Sequence, residues 1–425
     1  MLGNTIRRRI TITLAVLAAG LTAPLAPLTV VAQQDTWSLS GLAGQEITAI
    51  LVDPLTPTTV YAGVLGGGVY KSTDAGGEWV PINTGLTTTQ IRALAIDPQT
   101  PATLYAGSGG AGFFKTVDGG QNWTLLDNPR LNGNFVFDIA VDPQTPTTLY
   151  VGGNGESILK SVDGGVTWVS SGPVNSQAIA IDALNPTNLY SGTDISVSKS
   201  VDSGANWAPT TVQPFSIFDI TIDPQTTSTI YVSARPWRTE DTGGVLKSTD
   251  DGATWTAVTS GVAGMARAVA VDPLSTSTLY AALLPSGAAE AGAFRSTDGG
   301  ASWTAISDGL ESVGVRSFAI DAVNQRIYAA TTGGVFVASS AVPHAALLVR
   351  TRGEGTVTSS PSGIECGFDC SESFIRGTVV TLTATPAEGS NLLRWSGCDS
   401  ISGTSCVVTV DGRQSVSAAF RVPRR

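Results

Sequence analysis

One octapeptide pattern is written six times along the chain, and this repetition constrains the fold more than any other feature. Ser72-Thr-Asp74-Ala-Gly76-Gly-Glu-Trp79 recurs around Asp118 and Trp123, Asp163 and Trp168, Asp202 and Trp207, Asp250 and Trp255, and Asp298 and Trp303. A short unit repeated at a near-regular interval marks a solenoid or a propeller, in which no unit buries its apolar face alone. Most residues of such a chain serve the lattice before they serve a function.

A second signature counts the units more completely. A run of small and β-branched residues ends in Asp at Asp53, Asp97, Asp142, Asp182, Asp223, Asp272 and Asp321, and an apolar-Tyr pair follows each, at Tyr61, Tyr105, Tyr150, Tyr190, Tyr231, Tyr280 and Tyr328. The Asp spacings of 44, 45, 40, 41, 49 and 49 residues suit four short strands, A to D, which is the blade of a β-propeller. In the second unit the strands are expected at 91–96, 103–106, 112–116 and 123–126, with Gly, Pro, Asp and Asn in the turns. No stretch has helical periodicity. The expected fold is all-β: a seven-bladed propeller over 33–342, a linker at 343–346 and a small β domain over 347–425. No box follows Gly334-Val-Phe336 in the seventh unit. Trp37-Ser-Leu-Ser-Gly41-Leu42 resembles the segment 79–86 and is expected to supply that blade's missing outer strand, pairing an otherwise exposed edge.

Residues 1–32 read as a secretory signal peptide: Arg7, Arg8 and Arg9, then an apolar stretch over 10–21, then Val30-Val-Ala32 as a small-residue cleavage site. No other segment is long and apolar enough to span a bilayer. Cleavage would remove three Arg and no acid, taking the net charge from −10 to −13. Such an acidic chain is a poor partner for nucleic acid or anionic lipid. The expectation is a secreted or cell-envelope monomer. All four cysteines, Cys366, Cys370, Cys398 and Cys406, fall in the tail. In an exported chain they read as two disulfides rather than a zinc site; three pairings are open, and the local one (366 with 370, 398 with 406) is the expectation. The one histidine, His344, lies after the last blade, so neither a Ser-His-Asp triad nor a His-based metal site can form inside the propeller, and no cofactor is expected.

The six copies of Ser/Thr-x-Asp-x-Gly-x-x-Trp resemble the Asp-box, or BNR, repeat of sialidases, sortilin-type receptors, xyloglucanases and photosystem II assembly factor propellers, over residues 35–342. The resemblance implies a hairpin between strands C and D, with the Asp bonding turn backbone and the Trp packed beneath. Turn chemistry agrees, since Asp and Gly suit tight turns and Trp is a large anchor. Catalysis or calcium binding by the box Asp residues is set aside, because a catalytic group is needed once rather than six times. A sialidase is disfavoured: the count is seven rather than six, and Ile47-Thr-Ala-Ile-Leu-Val stands where that family has Arg-Ile-Pro. Xyloglucanases place their carboxylates between two propellers, and the single-propeller assembly-factor type fits the count better. The tail, with Cys366-Gly-Phe-Asp-Cys370, Leu393-Arg-Trp395-Ser-Gly-Cys398 and Phe420, looks like a divergent InlB B-repeat module over 347–421. That likeness implies a spacer or adhesive unit.

Residues that recur in each blade belong to the fold, so candidates for function are those that break the pattern. Lys71, Lys115, Lys160, Lys199, Lys247 and Arg295 share one strand C position and read as a solvated row. Trp237 belongs to no box. It lies between strands B and C of the fifth unit, in Arg235-Pro-Trp237-Arg238-Thr-Glu240-Asp241, on the face opposite the boxes. A Trp flanked by two Arg can stack a sugar or grip a carboxylate; equally, it can cover an apolar edge. A second long loop, 283–292, carries Glu290. Near the same rim, the position five before each strand A Asp reads Thr48, Arg92, Phe137, Gln177, Phe218, Arg267 and Arg316, and three Arg at a channel mouth favour an anionic ligand. Asp138 and Asp219 come next in their blades. They are expected to pair with the rim Arg; the alternative, with Glu240, is glycoside cleavage, which needs carboxyls roughly 5 to 9 Å apart. The function expected is a non-catalytic binding or scaffold propeller recognising an extracellular protein or polysaccharide, with a glycoside hydrolase as the alternative.

Overall fold

The computed structural model describes residues 36–126, 128–211, 215–236, 244–258, 265–284, 292–310, 313–339, 344–361, 363–366, 370–375, 378–410 and 414–422. Regular structure among them is all strand. Seven strands line a ring and are numbered here β1 (Ile47–Val52), β2 (Ile91–Ile96), β3 (Asn132–Val141), β4 (Ala178–Ile181), β5 (Phe215–Ile222), β6 (Met265–Val271) and β7 (Val315–Asp321). Each packs against the next, and β7 packs against β1, so the ring closes. From each inner strand three more run outward in antiparallel order, giving seven four-strand groups; the second and third are joined into one sheet where Leu104–Ala111 meets the start of β3. The chain folds as an all-β propeller.

The expected strands of the second unit are found at Ile91–Ile96, Leu104–Ala111, Phe113–Thr116 and Thr124–Leu126. Strand B runs longer than expected because its Gly-rich end pairs with the neighbouring group. The core alternates between sheets: the strand B tyrosines, with Leu104, Phe113 and Phe114, are almost wholly buried.

The ring is closed by its own start. Ser38–Gly41 pairs with Gly334–Ser339, placing Leu39 opposite Phe336. Trp37 is buried, donates its indole N–H to the Ile306 carbonyl at 2.6 Å and its amide to Asp308 at 2.8 Å. Trp123 of a repeated box makes the equivalent bonds at the seam between the first and second units, with Ile82 at 2.7 Å and Thr84 at 2.8 Å. Gly85 and Gly309 make this close approach possible: both have φ of 89°, and a Cβ would lie 2.0 and 2.1 Å from the carbonyl oxygens of Trp123 and Trp37. Trp37 therefore fills the box-Trp role for a blade without a box.

Within each box the hydroxyl at the first position donates to the Asp and accepts the amide of the recurring Gly, as Ser72 does with Asp74 at 2.7 Å and Gly76 at 2.8 Å. The Asp accepts a further amide four residues on, at 2.9 Å from Glu78. These bonds hold the carboxyls of Asp118, Asp163 and Asp202 down to about 2, with Thr116 and the side chains of Asn122, Thr167 and Asn206 prominent among the donors. Their lone pairs are occupied by the turn itself.

The strand C lysines are not a solvated row. Each ammonium reaches over its own blade's tyrosine ring, 5.2 to 5.5 Å from the centroid, and donates to a carbonyl in the next blade's box. The acceptors are Gly119 for Lys71, Gly164 for Lys115, Ser203 for Lys160, Asp251 for Lys199 and Gly299 for Lys247. Neighbouring sheets meet largely through apolar flanks, so a directional bond between them restrains their relative rotation.

The tail forms two sheets. One orders Cys370–Ile375, His344–Arg352, Gln414–Arg421 and Asn391–Ser396; the other orders Glu365–Cys366, Gly355–Ser360, Thr378–Pro386, Ser405–Val410 and Ser400–Ser402. His344 opens the first tail strand rather than standing in a linker, its backbone paired with Ile375. Cys398 and Cys406 form a disulfide, with Cys406 fully buried. The side chains of Cys366 and Cys370 lie outside the described residues.

Candidate functional site

A β-bulge places the rim residues. Register slips by one in β1 between Ile47 and Ala49, in β2 between Ile91 and Ala93, and likewise at the matching place in β3, β5, β6 and β7. The residue left over is Thr48, Arg92, Phe137, Phe218, Arg267 or Arg316. A bulged residue has no cross-strand partner and is re-aimed by the extra local twist, which turns these side chains inward. β4 has no slip in its pairing, and Gln177 lies just ahead of it. All seven positions line one central cavity of about 420 Å³, together with Glu46, Asp138, Asp219, Ser317 and Phe318.

The three guanidiniums differ in their surroundings. Arg316 pairs with Glu46 at 2.6 Å. Arg92 lies over the Phe135 ring at 4.6 Å, and Arg267 over Phe218 at 4.8 Å. Burial holds the Arg267 guanidinium below its ordinary range, the nearby Arg316 charge adds to this, and Asp219 opposes it. Buried Nε atoms of Arg92 and Arg316 have no hydrogen-bond partner among the described residues.

The expected pairing of Asp138 and Asp219 with the rim arginines is seen only as an attraction between Asp219 and Arg267; the hydrogen bonds of both carboxyls go to backbone. Asp138 accepts the amide of Ile139 at 2.8 Å and that of Ile179, on the next inner strand, at 2.7 Å. Asp219 accepts the amide of Val269 at 3.1 Å, again on the next inner strand. Each carboxyl bridges two blades through backbone. Both open onto the channel yet are surrounded by protein, and this desolvation pushes Asp138 up to about 6 and Asp219 to about 7. The backbone donors oppose the rise, and Asp138 adds to it at Asp219. Thr48, at a rim position, also bridges blades, donating within reach of Gly63 at 3.0 Å and Ile91 at 2.9 Å. Glu46 was not singled out in the sequence; it precedes β1 and carries no repeat signature.

Arg235 is exposed at the end of Ile230–Pro236, opposite Ser216. Trp237, Arg238, Glu240 and Glu290 lie outside the described residues. No group of three or more metal-ligating side chains occurs among the described residues, and no helix there is long and apolar enough to cross a membrane.

Comparison with known proteins adds three findings. A protein-family model for the divergent InlB B-repeat domain matches residues 346–423. A search of the curated proteins finds no match. Among solved structures, the chain is similar to the GH74 xyloglucanase of Xanthomonas campestris at 22% identity and a TM-score of 0.60, covering 71% of this chain and 53% of that one, about half its length. The GH74 enzyme of Niastella koreensis gives 19% identity and a TM-score of 0.60, covering 87% and 69%. YCF48 from Cyanidioschyzon merolae gives 16% identity and a TM-score of 0.56, covering 72% of this chain and 98% of that one. At these identities the likeness speaks for the propeller fold alone.

Proposed function

We propose that the chain is an exported, non-catalytic binding or scaffold protein: a seven-bladed propeller of the Asp-box type, over 33–342, followed by an InlB B-repeat-like module. Its partner is an extracellular protein or polysaccharide. The partner engages the face that carries the channel mouth, Arg235 and the Trp237 loop. One observation carries this reading: the bulges turn three arginines and two phenylalanines to one rim, while every box aspartate is spent on its own turn. A YCF48 propeller has been solved with a D1 peptide bound, which supports peptide recognition as a use of this architecture. The disulfide and the tail module are consistent with life outside the cytoplasm.

A second reading has its own support. Two carboxyls raised to about 6 and about 7 in one cavity resemble the acid of a glycosidase, and GH74 enzymes share the fold. Against it, both oxygens of Asp138 are occupied by backbone amides. A glycan and peptide array probed with the full chain and with Trp237→Ala separates the two. Binding without turnover, lost in the variant, supports the scaffold; turnover abolished by Asp138→Asn or Asp219→Asn refutes it.

A further inference from the structure

The turns between the first and second strands of the units stand on the face that carries the boxes, because each inner strand begins at the channel rim and ends at its Asp. The position two after that Asp is of two kinds. In the second, third and fifth units it is Gln99, Gln144 and Gln225, and each side-chain amide donates to a turn carbonyl of the next unit: Pro143 at 2.8 Å, Ala183 at 3.0 Å and Pro273 at 3.1 Å. A side chain at this position therefore spans the gap between neighbouring turns. Leu274, Val323 and Leu55 hold the same position in the sixth, seventh and first units, whose inner strands follow one another round the closed ring. None of the three can make the bridging bond, and they are 70%, 76% and 66% exposed. Leucine extends nearly as far as glutamine, so these side chains form one apolar arc rather than the scattered exposed residues normal on any surface.

The same face is acidic. It carries the seven strand A aspartates and the eight acids of the six boxes, against seven cations: the five strand C lysines, Arg295 and Arg326. Hydrogen bonds from turn amides, like those Asp53 accepts from Leu55 and Thr56 at 2.9 Å, leave the carboxylate charge in place. The box carboxyls are held low by their own turns and stay ionised at neutral pH. Each apolar tip thus stands two residues from a carboxylate. Anionic lipid and acidic polysaccharide are repelled by such a face, and a neutral sugar makes no use of its charge. Cations interspersed with apolar side chains match both features.

We propose that the arc of Leu274, Val323 and Leu55 is a docking surface for a basic, amphipathic segment of a partner protein, its apolar side chains against the arc and its lysines or arginines over the surrounding carboxylates. The surface lies on the face opposite the channel mouth, so it stands independently of the reading above and leaves that mouth open to a second partner.

The test is calorimetric titration of the full chain with a short synthetic peptide of leucine and lysine in amphipathic order, alongside a leucine–glutamate and a serine–lysine counterpart. The leucine–lysine peptide is expected to bind, and to bind about 10-fold more weakly when sodium chloride is raised from about 0.05 M to about 0.5 M. Leu55→Ser, Leu274→Ser and Val323→Ser combined are expected to weaken it at least about 10-fold, with an unchanged melting curve, because exposed positions of this kind contribute little to stability. Leu184→Ser, in the fourth unit between Gln144 and Gln225, is expected to bind as the unmodified chain does. The three peptides on the unmodified chain give an answer without any variant. No binding of the leucine–lysine peptide, equal binding of either counterpart, or full affinity in the triple variant overturns the proposal. Cosedimentation with phosphatidylglycerol vesicles that the triple variant loses makes the arc a lipid-binding surface and overturns it as well.

Discussion

Lys160 offers the sharpest check on how the blades are held together. Its ammonium and the Tyr150 hydroxyl donate to one carbonyl, Ser203, at 2.8 and 2.9 Å, across the seam between the third and fourth blades. The Lys160 ammonium also lies 5.5 Å from the Tyr150 ring centre. A hydrogen bond to a charged group contributes about 1.5–3 kcal/mol and an exposed cation–π contact about 0.5–1 kcal/mol. Ordering a lysine costs up to about 2 kcal/mol. Lys160→Met, which keeps the aliphatic stem, is therefore expected to lose about 1.5 kcal/mol. Tyr150→Phe is expected to lose about 1 kcal/mol, since the lysine still serves the carbonyl. The double variant leaves Ser203 with neither donor and should exceed the sum of the singles by about 1 kcal/mol. Urea unfolding gives the energies, and hydrogen exchange over 197–210 localises them to the seam. If Lys160→Met stays within about 0.5 kcal/mol of the unmodified chain and the pair is additive, the lysines are a solvated row after all, and the latch is refuted.

Three further outcomes concern ring closure, channel titration and the tail disulfide. Trp37→Ala removes a buried indole and its bond to Ile306, and is expected to cost about 3–5 kcal/mol and to open the closing seam to limited proteolysis near 334–339. Asp138 and Asp219 bind protons more tightly folded than unfolded, so their contribution is fully present below pH about 4 and is lost as pH rises through about 6 and about 7. For Asp138 the loss is at most about 3 kcal/mol, and Asp138→Asn should flatten that part of a urea-midpoint profile between pH 4.5 and 7.5. Replacing Cys398 and Cys406 together by Ser should destabilise the tail by about 2.5 kcal/mol through the closed loop of the disulfide, read as a lowered unfolding midpoint under non-reducing conditions.

What the sequence disclosed was whatever repeats by residue type. Asp, Gly and Trp at fixed offsets name a turn and its anchor, so the repeated four-strand units and the closing role of Trp37 could be read directly. The latch could not, because a lysine every forty-odd residues says nothing of a carbonyl one blade further round. Rim position was legible from its distance to the strand A Asp, yet the bulge that turns it inward was not, since Thr, Arg and Phe share no bulge signature. The backbone partners of Asp138 and Asp219 were missed for a similar cause: an amide on the next strand has no letter in the sequence. The disulfide between Cys398 and Cys406 agrees with the local pairing expected among the three that spacing left open.

The two populations of aspartate show where this framework is complete and where it is not. Box carboxyls sit at the surface, take up donors from their own turn and titrate low; channel carboxyls are desolvated and titrate high. One residue type moves in opposite directions because the turn supplies amides in excess while the channel supplies walls. Unmet polarity follows the same division. Arg92 Nε, Arg316 Nε, Ser317 Oγ and the Ser233 hydroxyl, opposite Asp219, are buried without partners among the described residues. A buried donor left unbonded costs about 1–3 kcal/mol, and the repeated positions of this chain avoid that cost through the hydroxyl-to-Asp and lysine-to-carbonyl bonds. Of these, the Arg92, Arg316 and Ser317 atoms belong to residues that line the channel, whereas Thr210 Oγ1 and Ser390 Oγ show the same lack elsewhere among the described residues. On the proposed function, a ligand at the channel would supply the bonds that the Arg92 and Arg316 Nε atoms lack.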